Sequence, residues 1–208
     1  MAVRNFWWVI ADLYDLILVL PEDKLPLTLF TNKEILITRN TLVTTIPVLP
    51  KGYEISFDFK PTKWIGGWTN ILHMTTGGNS GWGERIPGLF PLNQKVSIAN
   101  GIDGNGNWNF WTPSMPLNEW VHFKLVQHLE GKKWVYRDYM DHQLLMVKVN
   151  KKAQEYKQVD IWLSDNWYNA QPGYVKKLYI SGMFLIFLLY VVGKPIQQFF
   201  ELFFPLIR

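Results

Sequence analysis

The sequence predicts an all-β fold, an antiparallel sandwich or barrel, over residues 34–180 of the 208-residue chain. Short runs of alternating apolar and polar residues follow one another in this range, and turns rich in Gly, Pro, Asn and Asp separate them. No helical pattern in this range extends beyond a turn or two. An antiparallel arrangement is therefore expected, and a β–α–β architecture is not.

The alternation is clear in individual segments. In YEISFDFK (53–60) the aromatic and aliphatic side chains fall on one face and the polar ones on the other, and WVHFKLVQH (120–128) also alternates. No internal repeat is visible. The predicted strands lie at 35–39, 42–47, 53–60, 67–75, 94–99, 107–111, 119–128, 133–140, 143–149, 158–164 and 173–180.

Composition narrows the class of protein. The length of 208 residues fits one domain, or one domain with appendages. The chain is 48% apolar, 16% aromatic and 18% charged, which excludes disorder for most of its length. Cysteine is absent, so disulfides, thiolate metal sites and cysteine catalysis are excluded. The net charge is +4, but no basic stripe with interleaved aromatics occurs, so nucleic acid is not an expected partner.

The two ends are more apolar than the middle. Residues 6–20, FWWVIADLYDLILVL, predict either a degenerate signal or anchor segment or a packed helix, because Asp12 and Asp15 interrupt the apolar run. Residues 196–206, IQQFFELFFPL, predict a helix with one aromatic face. These extensions are expected to lie in a membrane interface or to pack on one another, and a less favoured alternative is a membrane span formed by residues 183–204. The predicted divisions are an N-terminal segment 1–33, a sandwich 34–181 and a tail 182–208.

Several segments carry a resemblance to a known superfamily. The strongest is PLNEWVHFKL (116–125), where a polar turn leads to a tryptophan and an alternating strand, followed by KKWVYRDYMDHQLL (132–145) with Asp141-His142 as its turn. These resemble the concanavalin-like lectin/laminin-G sandwich, a jelly roll of two sheets. More narrowly, LVTTIPVLPKGYEISFDFKPT, GWTNILHMTTGGN, GERIPG and LSDNWYNAQPGYVKKLYI resemble a lectin-like module of invertebrate extracellular proteins. The resemblance covers 34–181 and implies an extracellular binding module.

Catalytic residues are not predicted. Glycoside hydrolases of this superfamily place carboxylates on one strand in a Glu-x-Asp-x-x-Glu pattern, which this sequence lacks. Glu54 and Asp58 share a strand face with a serine and a lysine, which indicates a solvated face. The four histidines are scattered, and His73 is expected to be a strand residue with a satisfied ring. A non-enzyme is therefore predicted.

One segment has the spacing of a cation loop. Asp103, Asn105 and Asn107 alternate like the first ligands of a calcium loop, but Ser114 stands where an EF-hand requires glutamate. A lectin-type calcium site and a plain hairpin turn both remain open, and the turn is favoured. No other cofactor is predicted.

Tryptophan is the residue type that points to sugar binding, because its flat ring stacks on the C–H face of a pyranose while polar side chains bond the hydroxyls. Trp120 and Trp162 lie in strands and are expected in the core. The predicted ligand-binding residues lie in polar, glycine-rich loops. They are Asn79, Trp82, Arg85, Trp108, Asn166, Trp167 and Tyr168. Arg85 is expected either to bond a ligand or to pin its loop through Glu84 or Asp103.

The predicted function is a non-catalytic lectin-like module that binds carbohydrate or another extracellular ligand, with its ends as membrane attachments in one alternative. The localisation predicted with it is extracellular, or on the outer side of a membrane. A rival hypothesis is a structural or adhesion module, in which the apolar ends pair between copies as a homo-oligomer. A glycoside hydrolase is the third.

Overall fold

The computed structural model describes residues 17–19 and 28–182, and every regular element in these ranges is a β-strand. In chain order the strands are β1 (Ile17–Val19), β2 (Thr28–Thr31), β3 (Ile35–Leu36), β4 (Leu42–Leu49), β5 (Tyr53–Pro61), β6 (Thr69–Asn70), β7 (Leu72–Thr75), β8 (Gly88–Leu92), β9 (Lys95–Ile102), β10 (Asn105–Trp111), β11 (Val121–Glu130), β12 (Lys133–Met140), β13 (Gln143–Val149), β14 (Tyr156–Trp162), β15 (Asn169–Ala170) and β16 (Gly173–Gly182).

Two antiparallel sheets make up the fold, as the alternation predicts. The large sheet has the order β1-β2-β16-β5-β11-β12-β13, with β3 also paired to β16. The small sheet has the order β10-β9-β8-β7-β14-β4. A short parallel pair, β6 and β15, stands apart from both. The prediction of an all-β fold with two antiparallel sheets is confirmed.

A single hydrophobic cluster joins the two sheets. On the large sheet Phe57 and Phe123 are register partners on β5 and β11, and their rings stack with centroids 5.4 Å apart. On the small sheet Leu89, Ile98 and Ile161 belong to the same cluster and are fully buried or nearly so. The apolar face predicted for residues 53–60 is this core face, because alternate residues of β5 are buried in it.

The predicted hairpin turns are confirmed. Asp141 and His142 connect β12 to β13 with φ angles of 47° and 65°, and Asp103 and Gly104 connect β9 to β10 with 55° and 86°. Positive φ at both central residues is the geometry that matches the twist of a two-residue hairpin. Asp and Gly tolerate this conformation better than most residues do.

One central strand is absent from the prediction. The segment GLFPL forms β8, between β7 and β9, although it contains a glycine and a proline. Pro91 pairs with Val96 on β9. On the other side of β8, strand β7 pairs only with Gly88 and Leu89, so Pro91 lies beyond the end of β7. A missing amide is tolerated at such a position.

The expectation that Trp120 and Trp162 are core residues is wrong. Both side chains are only partly buried. Trp120 immediately precedes β11, and its ring lies below Lys176 Nζ at 3.9 Å and Lys60 Nζ at 4.6 Å. Trp162 is the last residue of β14. Residues at strand ends are covered from fewer sides than those in the middle, so an aromatic ring there need not be enclosed.

The predicted terminal helices fall mainly on residues 1–16, 20–27 and 183–208, which lie outside the described residues. Within the ranges that are described, β1 and β2 add two short strands to the large sheet ahead of residue 34. No helix in these ranges has the length and hydropathy needed to cross a membrane.

Asp138 is a carboxyl group sealed inside the core. It lies on β12 with no exposed surface, and neither of its oxygens has a hydrogen-bond partner in the described part of the chain. Burial disfavours the charged form and raises the pKa of Asp138, and the Tyr136 side chain lowers that pKa by a smaller amount. The net result is a rise in the pKa of Asp138 from 3.8 to about 7. The folded protein therefore keeps a proton on Asp138 at pH values where an unfolded chain has lost it.

This proton makes the stability depend on pH. We expect the contribution of Asp138 to the free energy of unfolding to fall as the pH rises from about 4 to about 7, by an amount on the order of 4 kcal/mol, and to level off above that. Asp138→Asn should remove this slope, because the amide does not titrate. Urea denaturation of both proteins at several pH values measures the difference. An identical slope in the two proteins would contradict the assignment.

Candidate functional site

A cleft of about 390 Å³ opens on the outward face of the small sheet. This volume lies in the range of small-molecule sites. Strands β8, β9 and β10 provide its floor, and three connecting segments provide its walls. Its lining residues are Trp68, Arg85, Phe90, Ser97, Asn107, Asn109, Trp111 and Tyr168.

The alternation of β10 determines which of its side chains enter the cleft. Asn107, Asn109 and Trp111 are exposed, and Trp111 is the register partner of Ser97, another lining residue. Residues on the other face of the strand point toward the core. Trp108 is one of these, because it packs against the core cluster and does not line the cleft.

Two tryptophans form an exposed aromatic platform in the cleft. The rings of Trp68 and Trp111 lie with centroids 5.5 Å apart and planes 37° apart. The residues are 45% and 39% exposed, which is unusual for tryptophan. Trp68 comes from the segment before β6, and Trp111 is the last residue of β10. The pair therefore offers the exposed faces of two aromatic rings to a ligand.

Arg85 is the charged group of the site and is only 8% exposed. Its Nε donates to the carbonyl of Asn79 at 2.7 Å, and its Nη2 donates to the hydroxyl of Tyr168 at 3.1 Å and to Asn79 Oδ1 at 3.3 Å. Its Nη1 donates to Asn107 Oδ1. The guanidinium lies 4.4 Å from the ring centroid of Phe90. Arg85 thus joins three segments of the chain at the cleft. It forms no ion pair with Glu84 or Asp103, so that expectation is wrong.

Beneath the cleft, His73 ties together the two loops that carry Arg85 and Tyr168. The 76–87 loop connects β7 to β8, and the 163–168 loop connects β14 to β15. His73 is fully buried on β7, with Nε2 2.5 Å from the carbonyl oxygen of Glu84 and Nδ1 2.6 Å from Asp165 Oδ2. Its ring is satisfied at both nitrogens, as predicted.

Asp165 organises the second of these loops. Its Oδ1 accepts from the backbone amides of Trp167 and Tyr168 at 3.0 and 2.9 Å. Its own amide donates to the buried Asn70 side chain at 3.0 Å. The carboxylate therefore fixes the turn that places the Tyr168 ring 4.9 Å from Phe90 in the cleft.

Local hydrogen bonds close the 76–87 loop on itself. The amide and hydroxyl of Thr76 both donate to the carbonyl of Gly83, at 3.1 and 2.9 Å. The Glu84 carboxylate accepts from the amides of Ser80 and Gly81, which lowers its pKa. The loop also rests on β10 at Gly106, where a Cβ atom would meet the backbone of Gly81 and Trp82.

The structure brings together some of the predicted ligand-binding residues and separates others. Asn79, Arg85 and Tyr168 meet in one hydrogen-bonded group. Trp82, Asn166 and Trp167 are not among the residues that line the cleft. The Asn166 carbonyl accepts from Arg39, and the Trp167 ring lies over His73 with centroids 5.5 Å apart. Trp82 is partly buried beside Gly101 on β9.

Sequence reasoning missed Trp68, Phe90, Ser97, Asn109 and Trp111. A signal for two of them was present, because the alternation of NGNWNFW (105–111) continues from Asn107 through Asn109 to Trp111. Placing Trp108 among the glycine-rich loop residues, although it falls in the predicted strand 107–111, drew attention to it instead. Phe90 carries no such signal, because it lies on β8, whose pattern is broken by Pro91. Ser97 lies on β9, within a predicted strand, but alternation alone does not show that its face lines a cleft.

The side chains proposed for calcium are engaged with other groups. Asp103 Oδ1 accepts from the amide of Lys151 at 2.6 Å, and Asn105 Oδ1 accepts from the amide of Asn107 at 2.9 Å. Asn107 Oδ1 accepts from Arg85. Within residues 17–19 and 28–182, no three His, Asp or Glu side chains are arranged to hold a metal ion. A calcium site at these residues stays a prediction.

Among residues 17–19 and 28–182, none of those that line the cleft is Asp or Glu. Glu54 and Asp58 lie on the other sheet, where Glu54 pairs with Lys124 at 2.9 Å and Asp58 with His122 at 2.7 Å. Burial of Asp58 opposes ionisation, but hydrogen bonds from His122 and Lys177 lower its pKa overall. This cluster is an ion-paired surface of the large sheet.

Comparisons with known proteins assign no family. No protein-family model and no curated protein matches the sequence. The receptor-binding domain of botulinum neurotoxin type G is 14% identical with a TM-score of 0.49, over 83% of this chain and 44% of that one, so this chain spans less than half of its length. The Ruminococcus gnavus IT-sialidase CBM40 bound to α2,3-sialyllactose is 13% identical with a TM-score of 0.46, over 72% and 91%. The carbohydrate-binding module CBM66 from Bacillus subtilis is 10% identical with a TM-score of 0.38, over 74% and 80%.

The His73–Asp165 pair should be the main support of the site loops. We expect Asp165→Ala to lower the free energy of unfolding by about 3–5 kcal/mol, because the buried imidazole of His73 and two loop amides lose their hydrogen-bond partner. Asp165→Asn is the matched control. Its amide can accept from the loop amides and donate to Nδ1 of a neutral ring, so less than about half of the loss is expected. Urea denaturation measures both variants, and equal losses would contradict this role.

Proposed function

We propose that this protein is a non-catalytic carbohydrate-binding module that holds its ligand in the cleft on the small sheet. The observation that carries the proposal is the exposed Trp68–Trp111 pair, which opens into the same cleft as Asn107, Asn109 and the buried Arg85. Saccharide sites need both parts. A flat aromatic surface removes the C–H face of the sugar from water, and directed polar groups bond the hydroxyls around it.

The strand geometry supports this function because it fixes both parts on rigid backbone. Asn107, Asn109 and Trp111 alternate along β10, so the two amides and the aromatic ring project from one face. The Asn109 amide donates to the Asn107 carbonyl at 3.4 Å, which orders the polar side of the cleft. A preorganised site loses less conformational entropy when the ligand binds.

The absence of carboxylates from the lining supports a binding role over hydrolysis. A glycosidase of the common kind needs two carboxyl groups on either side of the bond it cleaves, about 5–9.5 Å apart. The residues that line the cleft supply aromatic rings, amides, hydroxyls and one guanidinium. These groups hold a sugar but supply neither a general acid nor a nucleophile for its hydrolysis.

Other parts of the sequence-based hypothesis stay predictions. They include an extracellular location, the setting of invertebrate extracellular proteins, and attachment to a membrane through the ends. The assembly alternative depends on the tail 182–208, and all of it but Gly182 lies outside the described residues. No observation in the described sandwich favours it over a cleft that is built for a small ligand.

The test is a glycan array followed by calorimetric titration of the best-bound saccharide. We expect Trp111→Ala and Trp68→Ala each to weaken binding about tenfold or more, since truncation of an aromatic anchor typically costs at least about 1–2 kcal/mol. Trp120→Ala is the matched control, because Trp120 is a partly exposed tryptophan that lies beside Lys60 and Lys176 on the large sheet.

The control should keep its affinity within about twofold. Thermal denaturation of all three variants confirms that they are folded when they are titrated. Binding that is weakened by the control as much as by Trp111→Ala, or no binding to any glycan, would contradict the proposed function.

A further inference from the structure

Arg85 is a buried cation without a carboxylate partner. It is only 8% exposed, and in the described part of the chain no Asp or Glu oxygen lies within 4.0 Å of its nitrogens. All of its hydrogen-bond acceptors are neutral, since they are carbonyl, amide and hydroxyl oxygens. A charge removed from water is costly unless it is paired, and arginine cannot lower this cost by losing its proton.

The acidic residues of the neighbouring segments form hydrogen bonds with groups other than Arg85. Glu84 accepts from the amides of Ser80 and Gly81, and its charge reaches Arg85 only at longer range. Asp165 is held by His73, and Asp103 accepts from the Lys151 amide. The guanidinium therefore faces the cleft with its charge uncompensated at contact distance.

Asn107 and Tyr168 each accept from Arg85 with an oxygen and keep hydrogens that they can donate to a ligand. The Tyr168 hydroxyl accepts from Nη2, and its own hydrogen is available to bond a ligand. Asn107 uses Oδ1 to accept from Nη1, so its Nδ2 hydrogens are left in the same way. The guanidinium has five N–H hydrogens. Four of them donate to Asn79, Asn107 and Tyr168, and the one that remains is on Nη1.

A charged donor and two neutral donors that meet in one cleft select a group that only accepts hydrogen bonds. A carboxylate is such a group, and its charge-assisted bonds to guanidinium are the stronger kind. We propose that the cleft binds a saccharide that carries a carboxylate, with Arg85, Asn107 and Tyr168 as its carboxylate subsite and Trp68 and Trp111 as the surface for a sugar ring. This inference rests on the proposed function and names its ligand class.

The first test changes the ligand and leaves the protein intact. The full chain is screened on an array that displays neutral, carboxylated and sulfated glycans, and the best carboxylated glycan is then titrated against its methyl ester. Esterification removes the charge and keeps the sugar rings. We expect the ester to bind at least about tenfold more weakly, which is the size of a lost charge-assisted hydrogen bond.

The second test changes the protein. In Arg85→Gln the ratio of the acid affinity to the ester affinity should fall to near one, while Arg85→Lys, which keeps the charge but loses the planar fork, should retain part of it. A general weakening of the fold lowers both affinities and does not move this ratio selectively. Should Arg85→Gln fail to fold, the titrations of the unaltered protein still decide.

The outcomes separate this inference from the proposed function. Binding of neutral glycans alone, or equal affinities for the acid and its ester, would overturn the carboxylate subsite and leave a carbohydrate-binding module. Binding of sulfated but not carboxylated glycans would overturn the choice of carboxylate. No glycan binding at all would overturn both proposals.

Discussion

The buried contact between His73, Asp165 and the carbonyl of Glu84 is the constraint on which the site depends. A carbonyl oxygen only accepts, so Nε2 donates to Glu84, while Nδ1 lies 2.6 Å from Asp165 Oδ2. The His73 ring therefore contacts one loop with each of its two nitrogens. One nitrogen holds the residue next to Arg85, and the other holds the turn that carries Tyr168. Both loops gain their positions from one residue in the small sheet.

The cleft then follows from the pairing of three strands with these loops. Register pairs align Trp111 on β10 with Ser97 on β9 and Phe90 on β8, so an outward row of side chains crosses the sheet. Arg85 lies on Phe90 and reaches across to Asn107, which connects the loops to the edge strand. Because Asn107 and Tyr168 accept from Arg85 with their oxygens, they can present their own hydrogens to a ligand. The loops thus set the chemistry of the cleft, whereas the strands set its shape.

The sequence predicts the sheets better than it predicts the site, for physical reasons. Alternation and turn chemistry are local, so β5 and the turns at Asp103-Gly104 and Asp141-His142 could be found from a few residues. The exposure of a tryptophan depends on which strands and loops cover it. Trp108 looked like a loop residue and faces the core, while Trp111, three residues later, lies exposed in the cleft. Arg85 was found because it stands in a glycine-rich loop, but its neutral partners come from distant segments.

Two buried ionisable groups without counter-ions show how burial alone differs from a binding site. Asp138 is sealed in the core, and it can become neutral there because its pKa is raised to about 7. Arginine does not lose its charge in proteins, so compensation at Arg85 must come from neighbouring groups or from a ligand. Only Arg85 opens into a cleft. Arg85 is surrounded by neutral acceptors and lies in the same cleft as the Trp68–Trp111 pair. The carboxylate of a saccharide bound there would supply the counter-charge that Arg85 lacks.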